Sequence, residues 1–280
     1  MNRTHSSIPA ILLAFALQAA AQNTPPVVTS QIADFTEYAG AAQRSIDLTT
    51  AFADSDVSAA VRVTTVLGTI DLALFGQQKP ITVANFLNYL DQERYFKIDP
   101  TNGHLASTFV HRSIPGFIIQ GGGYIGTVDP AHPANLLVTQ VLPFPAIQNE
   151  PGISNRRGTI AMAKLAGQPD SARSEWFINL ADNGGPPNNL DTENGGYAVF
   201  GRVVNNGMTA ADAIAALPRY NAGSPFDSIP LRNYTSPNPV MVSNLVSIPG
   251  FSYISPLSFS AMSNNPAIAD ANVSGTKLLR

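Results

Sequence analysis

Alternating hydrophobic and polar positions fill the central part of the chain and predict short β-strands. From Val61 to Phe75 the alternation reverses around Leu67-Gly68, which is typical of a β-hairpin. A second pair of alternating segments flanks Pro115-Gly116, where proline presets φ and glycine adds the freedom that a turn needs. Further strands are predicted, in chain order, at Gly158–Lys164, Ser174–Leu180 and Tyr197–Val204.

Two segments repeat their apolar residues at helical spacing instead. The first runs from Pro80 to Leu90, where proline suits the first turn of a helix, and the second from Met208 to Leu217. The stretches Phe96 to Thr108 and Thr127 to Ile147 are rich in turn residues and are interpreted as surface loops, the second with isolated extended pieces. The pattern therefore predicts a mainly β protein with two helices.

The stretch FVHRSIPGFIIQGGG, from Phe109 to Gly123, holds one cation, Arg112, among apolar residues. Period two places the Arg112 side chain on the opposite face of the strand from His111. An unpaired buried charge is costly, so Arg112 either pairs with a carboxylate or serves a functional site. The residues alone leave both interpretations open.

The first residues have the pattern of a secretory signal peptide. Arg3 and His5 precede a short apolar run and an Ala-x-Ala site, so we expect residues 1–21 to be removed after Ala21. A buried N-terminal helix is the alternative interpretation. No other segment has the length and apolarity of a transmembrane helix. These features predict an exported protein, periplasmic or secreted to the cell surface.

Composition narrows the function classes without naming one. The chain has 280 residues, is 44% hydrophobic and contains 22 Pro and 21 Gly, as expected for a loop-rich β protein. A net charge of −3 gives no electrostatic footprint for nucleic acid, and the absence of Cys excludes disulfides and thiolate chemistry. Asp54 and Asp56 supply too few oxygens for calcium, so no metal is expected. The Gly121–Gly126 match to the dinucleotide fingerprint is a chance one, because prolines follow where a helix should begin.

The Phe109–Gly123 stretch strongly resembles the signature of the cyclophilins, the prolyl isomerases with an eight-stranded β-barrel. The resemblance covers roughly Ala60 to Leu217, and the other family stretches follow in the expected order: TTVLGTIDLALF, ITVANFLNYL, GTIAMAK, SEWFINL and YAVFGRVV. It implies a closed eight-stranded antiparallel β-barrel capped by two helices, within an isomerase domain at 59–223. The remaining chain would form small β-rich extensions: a linker and partial cadherin-like or immunoglobulin-like piece at 22–58, and a Pro- and Ser-rich piece at 224–280.

The resemblance also implies a role for individual residues. Arg112 would be the catalytic donor to the proline nitrogen, while Gln120 and the Ala163 backbone would grip the substrate main chain. The proline ring would enter a cup formed by Phe117, Met162, Phe177 and Leu190, with Ile118 beside it. Three positions depart from or vary within the family pattern, namely Glu175 for the usual Gln, Asn189 for a frequent Trp, and the bacterial-type Tyr197.

Glu175 would add a negative charge near Arg112 and is expected to contribute to substrate binding, as is Tyr197. Two neighbours stay outside this set. His111 is left out of the chemistry because its side chain should point away from Arg112. Trp176 follows Glu175 and should point into the core.

The leading functional interpretation is a peptidyl-prolyl cis-trans isomerase that acts on proline-containing unfolded or exposed polypeptide segments in exported proteins. It would need no cofactor and would act as a monomer. The alternative is a non-catalytic cyclophilin-like module that binds Pro-containing segments in a surface assembly. A purely structural scaffold would have no reason to contain all five of Arg112, Gln120, Phe117, Met162 and Phe177.

Overall fold

The computed structural model describes residues 26–33, 42, 45–98, 105–129, 131–132, 135–257, 272–274 and 277–279. The predicted signal peptide lies outside these residues. The helices are α1 (Pro80–Asp91) and α2 (Met208–Ala215). The strands are β1 Val27–Val28, β2 Ser45–Asp47, β3 Phe52–Ala53, β4 Ala59–Thr65, β5 Gly68–Leu74, β6 Phe96–Ile98, β7 Leu105–Thr108, β8 Arg112–Ile114, β9 Ile118–Gly121, β10 Tyr124–Val128, β11 Leu136–Gln140, β12 Thr159–Met162, β13 Trp176–Asn179, β14 Val199–Val204, β15 Arg219–Tyr220, β16 Ile229–Pro230, β17 Gly250–Ile254, β18 Asn272–Ser274 and β19 Lys277–Leu279.

An eight-stranded antiparallel sheet forms the body of the fold, in the order β17-β4-β5-β14-β12-β13-β9-β8. Both helices add apolar side chains to the core of this sheet. On α1, Phe86 is fully buried, and its ring centroid lies 5.3 Å from that of Phe200 on β14. On α2, Ile214 is fully buried in the same cluster. The predicted mainly β fold with two helices is confirmed.

Closure of the sheet into a barrel is not confirmed. Among the described residues, no ladder of hydrogen bonds joins the edge strands β17 and β8. The two ends approach each other through an isolated bridge between Phe109 and Ser247. The Val110 N–H also donates to the Val246 carbonyl at 3.0 Å, and the Ile248 N–H donates to the Thr108 carbonyl at 2.8 Å. The observed sheet is therefore curled, with two edges that touch at one corner.

A second, four-stranded sheet has the order β11-β10-β7-β6. The sequence predicted an inserted loop within Phe96 to Thr108 and a loop with isolated extended pieces from Thr127 to Ile147, and it did not predict that these stretches pair as strands. β6 pairs with β7 across the predicted insertion, and β10 pairs with β11 in the Pro-rich stretch. Cross-strand pairing stabilises these segments although their alternation is weak.

The main sheet continues beyond the Gly223 limit that the sequence suggested for the isomerase domain. β17 pairs along its whole length with β4, from Gly250 opposite Thr64 to Ile254 opposite Ala60. Val246 and Ile248 are fully buried in the main core. Residues near the C-terminus therefore belong to the same packed body as the predicted domain.

The N- and C-terminal extensions pair with each other. β2 in the N-terminal extension hydrogen-bonds β19, which forms a hairpin with β18, and the three strands make a small sheet. β1 pairs with β3 over two residues on each side. Short strands of this kind need partners to be stable. β2 finds its partner in the C-terminal extension, whereas β1 and β3 pair within the N-terminal extension.

Candidate active site

Strand register aligns the first three residues of the site. Arg112 on β8 lies opposite Gln120 on β9, and Gln120 lies opposite Phe177 on β13. Directly opposed residues in an antiparallel pair project from the same face of the sheet, so these side chains form one row. The turn before β9 contains Gly116 at φ +73°, a left-handed conformation that glycine adopts without a steric penalty.

A cavity of about 240 Å³ opens beside this row. Its walls combine apolar side chains with three polar ones, Arg112, Gln120 and Lys164. The lining residues are Arg112, Phe117, Ile118, Gln120, Ala163, Lys164, Phe177, Leu190 and Tyr197. The structure therefore brings together eight of the ten site residues that were predicted from the sequence.

The apolar walls form a packed cluster of their own, separate from the main core. Phe177 and Leu190 are nearly fully buried, and the Phe177 ring meets the Tyr197 ring edge-on with centroids 5.6 Å apart. Such aromatic pairs are more favourable than their buried area alone suggests. The apolar side chains of the cup therefore pack against one another in the absence of a ligand.

Met162 was predicted as part of the cup, but it does not line the cavity. Its side chain is fully buried in the main core. The reason is the alternation of β12, where Ala161 and Ala163 face the cup cluster and Met162 faces the opposite side. The chain still approaches the cavity here through the Ala163 backbone, whose N–H already donates to the Glu175 carbonyl at 2.9 Å.

Arg112 lies half-buried at the cavity wall. Within the part of the chain that the structure describes, no carboxylate forms an ion pair with its guanidinium. Its Nη1 donates instead to Gln120 Oε1 at 3.5 Å, a long hydrogen bond. The interpretation of Arg112 as one half of a structural ion pair is therefore not supported, and most donors of its guanidinium are left for another partner.

Glu175 does not pair with Arg112 as the sequence suggested. Its Oε2 accepts from Gln120 Nε2 at 2.7 Å and lies 3.4 Å from His111 Nε2. Burial alone would raise the pKa of Glu175, but the hydrogen bond and charge of His111 and the hydrogen bond from Gln120 outweigh burial, so the pKa of this carboxyl lies below its ordinary value. Glu175 is therefore ionised at neutral pH behind Gln120, outside the cup.

Lys164 is a lining residue that the sequence interpretation missed. Its Nζ donates to the carbonyls of Asn194 and Gly196, at 2.8 and 2.7 Å, and lies 4.7 Å from the centroid of the Tyr197 ring. Burial lowers the pKa of Lys164, although Asp170 partly opposes the shift. Lys164 fixes the loop that presents Tyr197, and its position directly after Ala163 in the GTIAMAK stretch was the available signal.

A second cavity, of about 280 Å³, shares Gln120, Ala163 and Lys164 with the first. Its other walls include the charged residues Arg173 and Glu175. The two cavities are therefore neighbours that share one wall.

The described residues contain no group of three or more His, Asp or Glu side chains that could hold a metal ion. No helix in the described ranges is long and apolar enough to cross a membrane.

Comparisons with known proteins point to one family. The family model "Cyclophilin type peptidyl-prolyl cis-trans isomerase/CLD" matches residues 60–236. Peptidyl-prolyl cis-trans isomerase A of Dickeya dadantii is 40% identical over 61% of this chain and 77% of its own length. A peptidyl-prolyl cis-trans isomerase of Acinetobacter baylyi is 38% identical over 58% of this chain and 75% of its own length. Peptidyl-prolyl cis-trans isomerase B of Escherichia coli is 35% identical over 56% of this chain and 84% of its own length.

Among solved structures, a cyclophilin-type isomerase of Cryptosporidium parvum overlaps 70% of this chain and 99% of its own, with a TM-score of 0.46 and 22% identity. So loose an overlap defines no family by itself. The family model and the bacterial relatives establish the family. The model spans more than half of the chain, and each relative is matched over more than two thirds of its own length. The chain belongs to the cyclophilin-type peptidyl-prolyl cis-trans isomerases.

Proposed function

We propose that this protein is an exported prolyl isomerase that rotates X–Pro bonds in other exported proteins and so assists their folding. The observation that carries the catalytic part is the guanidinium of Arg112, which has no carboxylate partner among the described residues and lies beside the cavity of about 240 Å³. Its substrates would be proline-containing segments of unfolded chains or exposed loops. No cofactor is required.

The chemistry needs only binding energy. Rotation about an X–Pro bond crosses a barrier of about 18–20 kcal/mol because amide resonance is lost as the bond twists. The cis and trans forms differ by only about 0.5–1 kcal/mol, so no energy source is needed. A catalyst has to bind the twisted amide more tightly than either planar form.

The residues of the site can supply that difference. The cup formed by Phe117, Phe177 and Leu190 would hold the proline ring still while the preceding residue turns. As the amide twists, the proline nitrogen regains its lone pair and becomes a hydrogen-bond acceptor. Arg112 would donate to that nitrogen in the twisted state, with no proton transferred.

The first prediction concerns Arg112. Replacing it in Arg112→Ala should lower kcat/KM on a short Ala-Pro peptide by at least about tenfold, because a donor aimed at the transition state is lost. Arg112→Lys should recover little, since an ammonium lacks the planar fork of the guanidinium. A protease-coupled assay on the wild-type chain and both variants measures the effect, with circular dichroism to check the fold.

Arg219→Ala is a suitable control, because Arg219 is an exposed arginine on β15 and does not line the cavity. Its activity should match that of the wild-type chain. A wild-type chain that binds Pro-peptides but does not accelerate their isomerisation would support the alternative, a non-catalytic binding module. The Asn189 position favours that alternative slightly, since no aromatic wall replaces the family's frequent Trp there.

Export is the second prediction. The apolar run from Ile8 to Leu17 and the small residues up to Ala21 support removal of the first 21 residues. Expressed with its full sequence in a Gram-negative bacterium, the protein should be recovered outside the cytoplasm with Gln22 as its first residue. N-terminal sequencing and cell fractionation test this. Recovery of the uncut chain in the cytoplasm would contradict it.

A further inference from the structure

The side-chain amide of Gln120 lies between Glu175 and Arg112 and makes a different hydrogen bond on each side. Its Nε2 is 2.7 Å from Glu175 Oε2, and its Oε1 accepts from Arg112 at 3.5 Å. An ionised carboxylate can only accept hydrogen bonds, so the NH₂ group must face Glu175. The amide oxygen then has to face Arg112. The family's usual Gln at position 175 could face Gln120 with either end of its own amide, whereas a carboxylate cannot.

His111 is a buried residue that contacts the Glu175 carboxylate. Its side chain is 2% exposed, and its Nε2 lies 3.4 Å from the same Glu175 oxygen. Because Glu175 only accepts, the proton must be on Nε2, and Nδ1 is a buried atom without a hydrogen-bond partner in the described structure. The backbone N–H of His111 also donates to the Gln120 carbonyl at 3.0 Å. His111 therefore contacts both the carboxylate and the backbone of the residue that the carboxylate orients.

Gly123 leaves the space through which Glu175 reaches Gln120. A Cβ atom built on Gly123 would lie 2.7 Å from Glu175 Oε1 and 2.8 Å from its carboxyl carbon. The backbone of Gly123 has no positive φ, so alanine is compatible with its conformation. The clash would fall on the movable end of the Glu175 side chain. An added methyl group at position 123 should thus displace the carboxylate without altering it chemically.

We propose that Glu175 and His111 are positioning residues for the isomerase reaction. The buried imidazole orients the carboxylate, the carboxylate fixes the Gln120 amide, and the amide oxygen holds the Arg112 guanidinium toward the cavity. This inference rests on the proposed role of Arg112. It assigns a function to His111, which the sequence interpretation left out, and to the Glu that replaces the family's usual Gln.

Two substitutions at position 175 test the inference by peptide assay. Glu175→Met keeps the length of the side chain but removes the acceptor, so kcat should fall about tenfold with little change in KM, because the lost contact acts on the twisted state. Its melting temperature should fall, since His111 and Gln120 each lose the acceptor of a buried or partly buried hydrogen bond. Glu175→Gln should stay within about threefold of the wild-type kcat, because His111 can still donate to the new amide oxygen and set its orientation. Glu93→Met, the same change at an exposed carboxylate just after α1, serves as the control.

Gly123→Ala provides an independent test that leaves every polar group in place. Gly123→Ala should lower kcat, as Glu175→Met does. The kcat of the double variant should be no lower than that of the more impaired single variant. Such non-additivity is expected when two changes break one chain of contacts. Additive losses would show that Gly123→Ala acts elsewhere and would count against the inference.

The third readout does not depend on activity. ¹⁵N NMR of the wild-type chain should show His111 protonated at Nε2, and Glu175→Met should shift the Gln120 side-chain NH₂ signals. A proton on Nδ1 alone would overturn the inference, because Nε2 could not then donate to Glu175. Wild-type activity in a folded Glu175→Met chain would overturn it as well. An inactive wild-type chain would refute the proposed function instead, while the two NMR signals would still test the contacts.

Discussion

At the scale of single residues, Asn183 connects two walls of the proposed proline cup. Its side chain is fully buried, and its Nδ2 donates to the Phe117 carbonyl and to Asn179 Oδ1, each at 2.8 Å. Its backbone carbonyl accepts from the Leu190 N–H at 3.0 Å. Asn188 donates to the remaining Asn183 oxygen at 2.8 Å. All of these groups are satisfied, so Asn183 fixes the distance between the Phe117 turn and the Leu190 loop.

The third prediction follows from these contacts. Asn183→Ala should lower the free energy of unfolding by about 1–3 kcal/mol, because buried partners lose their hydrogen bonds. KM for a Pro-peptide should rise several-fold with kcat nearly unchanged, since a loosened cup weakens ground and transition states alike. Denaturant titration followed by fluorescence of Trp176, the one Trp in the chain, and steady-state kinetics give the two quantities.

Asn88→Ala is the matched control, because Asn88 is exposed on α1 and alanine is a better helix former. Its stability should be equal to or higher than that of the wild-type chain. A fall in kcat without a change in KM for Asn183→Ala would show that Asn183 acts on the chemistry rather than on the cup.

At the scale of elements, the sequence predicted the strands that hold the site and missed those of the second sheet. The strands β9, β12 and β13 each carry fully buried residues, namely Ile119, Ile160 and Ile178, so their apolar runs are strong signals. β11 is at most half-buried and presents exposed Leu137, so its pattern resembles that of a loop. β11 forms a strand because it pairs with β10. Such pairing between separate segments cannot be predicted from the local alternation of apolar and polar residues.

The same limit explains the error in the partner of Glu175. The sequence placed Glu175 near Arg112, but which side chains meet depends on the register between β13 and β9, where Trp176 lies opposite Gly121. That register carries Glu175 alongside Gly123, from which it reaches Gln120 and His111. The family pattern therefore identified which residues belong to the site. The contacts between their side chains could be known only from the alignment of the paired strands.

At the scale of the whole molecule, the C-terminal part of the chain completes the core. Val246, Ile248 and Phe251 are buried in the main cluster, and Leu231 and Leu245 pack in a third cluster under Phe109. Tyr253 on β17 donates to Asp91 Oδ1 at 2.7 Å, which joins the edge of the sheet to the end of α1. None of these contacts would form if the chain stopped at Gly223.

The last prediction is that a chain ending after Gly223 will not fold, whereas one ending after Leu257 will. Full burial of a Val, Ile or Phe side chain stabilises a protein by about 1.5–3 kcal/mol. Losing several such residues would remove an amount comparable to the usual net stability of about 5–15 kcal/mol. The edge of β4 would also lose the partner that β17 provides along its whole length.

Thermal unfolding by circular dichroism and the peptide assay on both shortened chains measure the outcome. The chain ending after Leu257 should unfold cooperatively and isomerise the Ala-Pro peptide at close to the wild-type rate, since β18 and β19 pair with the N-terminal extension rather than with the main sheet. Cooperative unfolding and full activity in the chain ending after Gly223 would contradict the prediction. The remaining strands of the main sheet would then form a stable core without β17, and the C-terminal segment would be an addition to a finished domain.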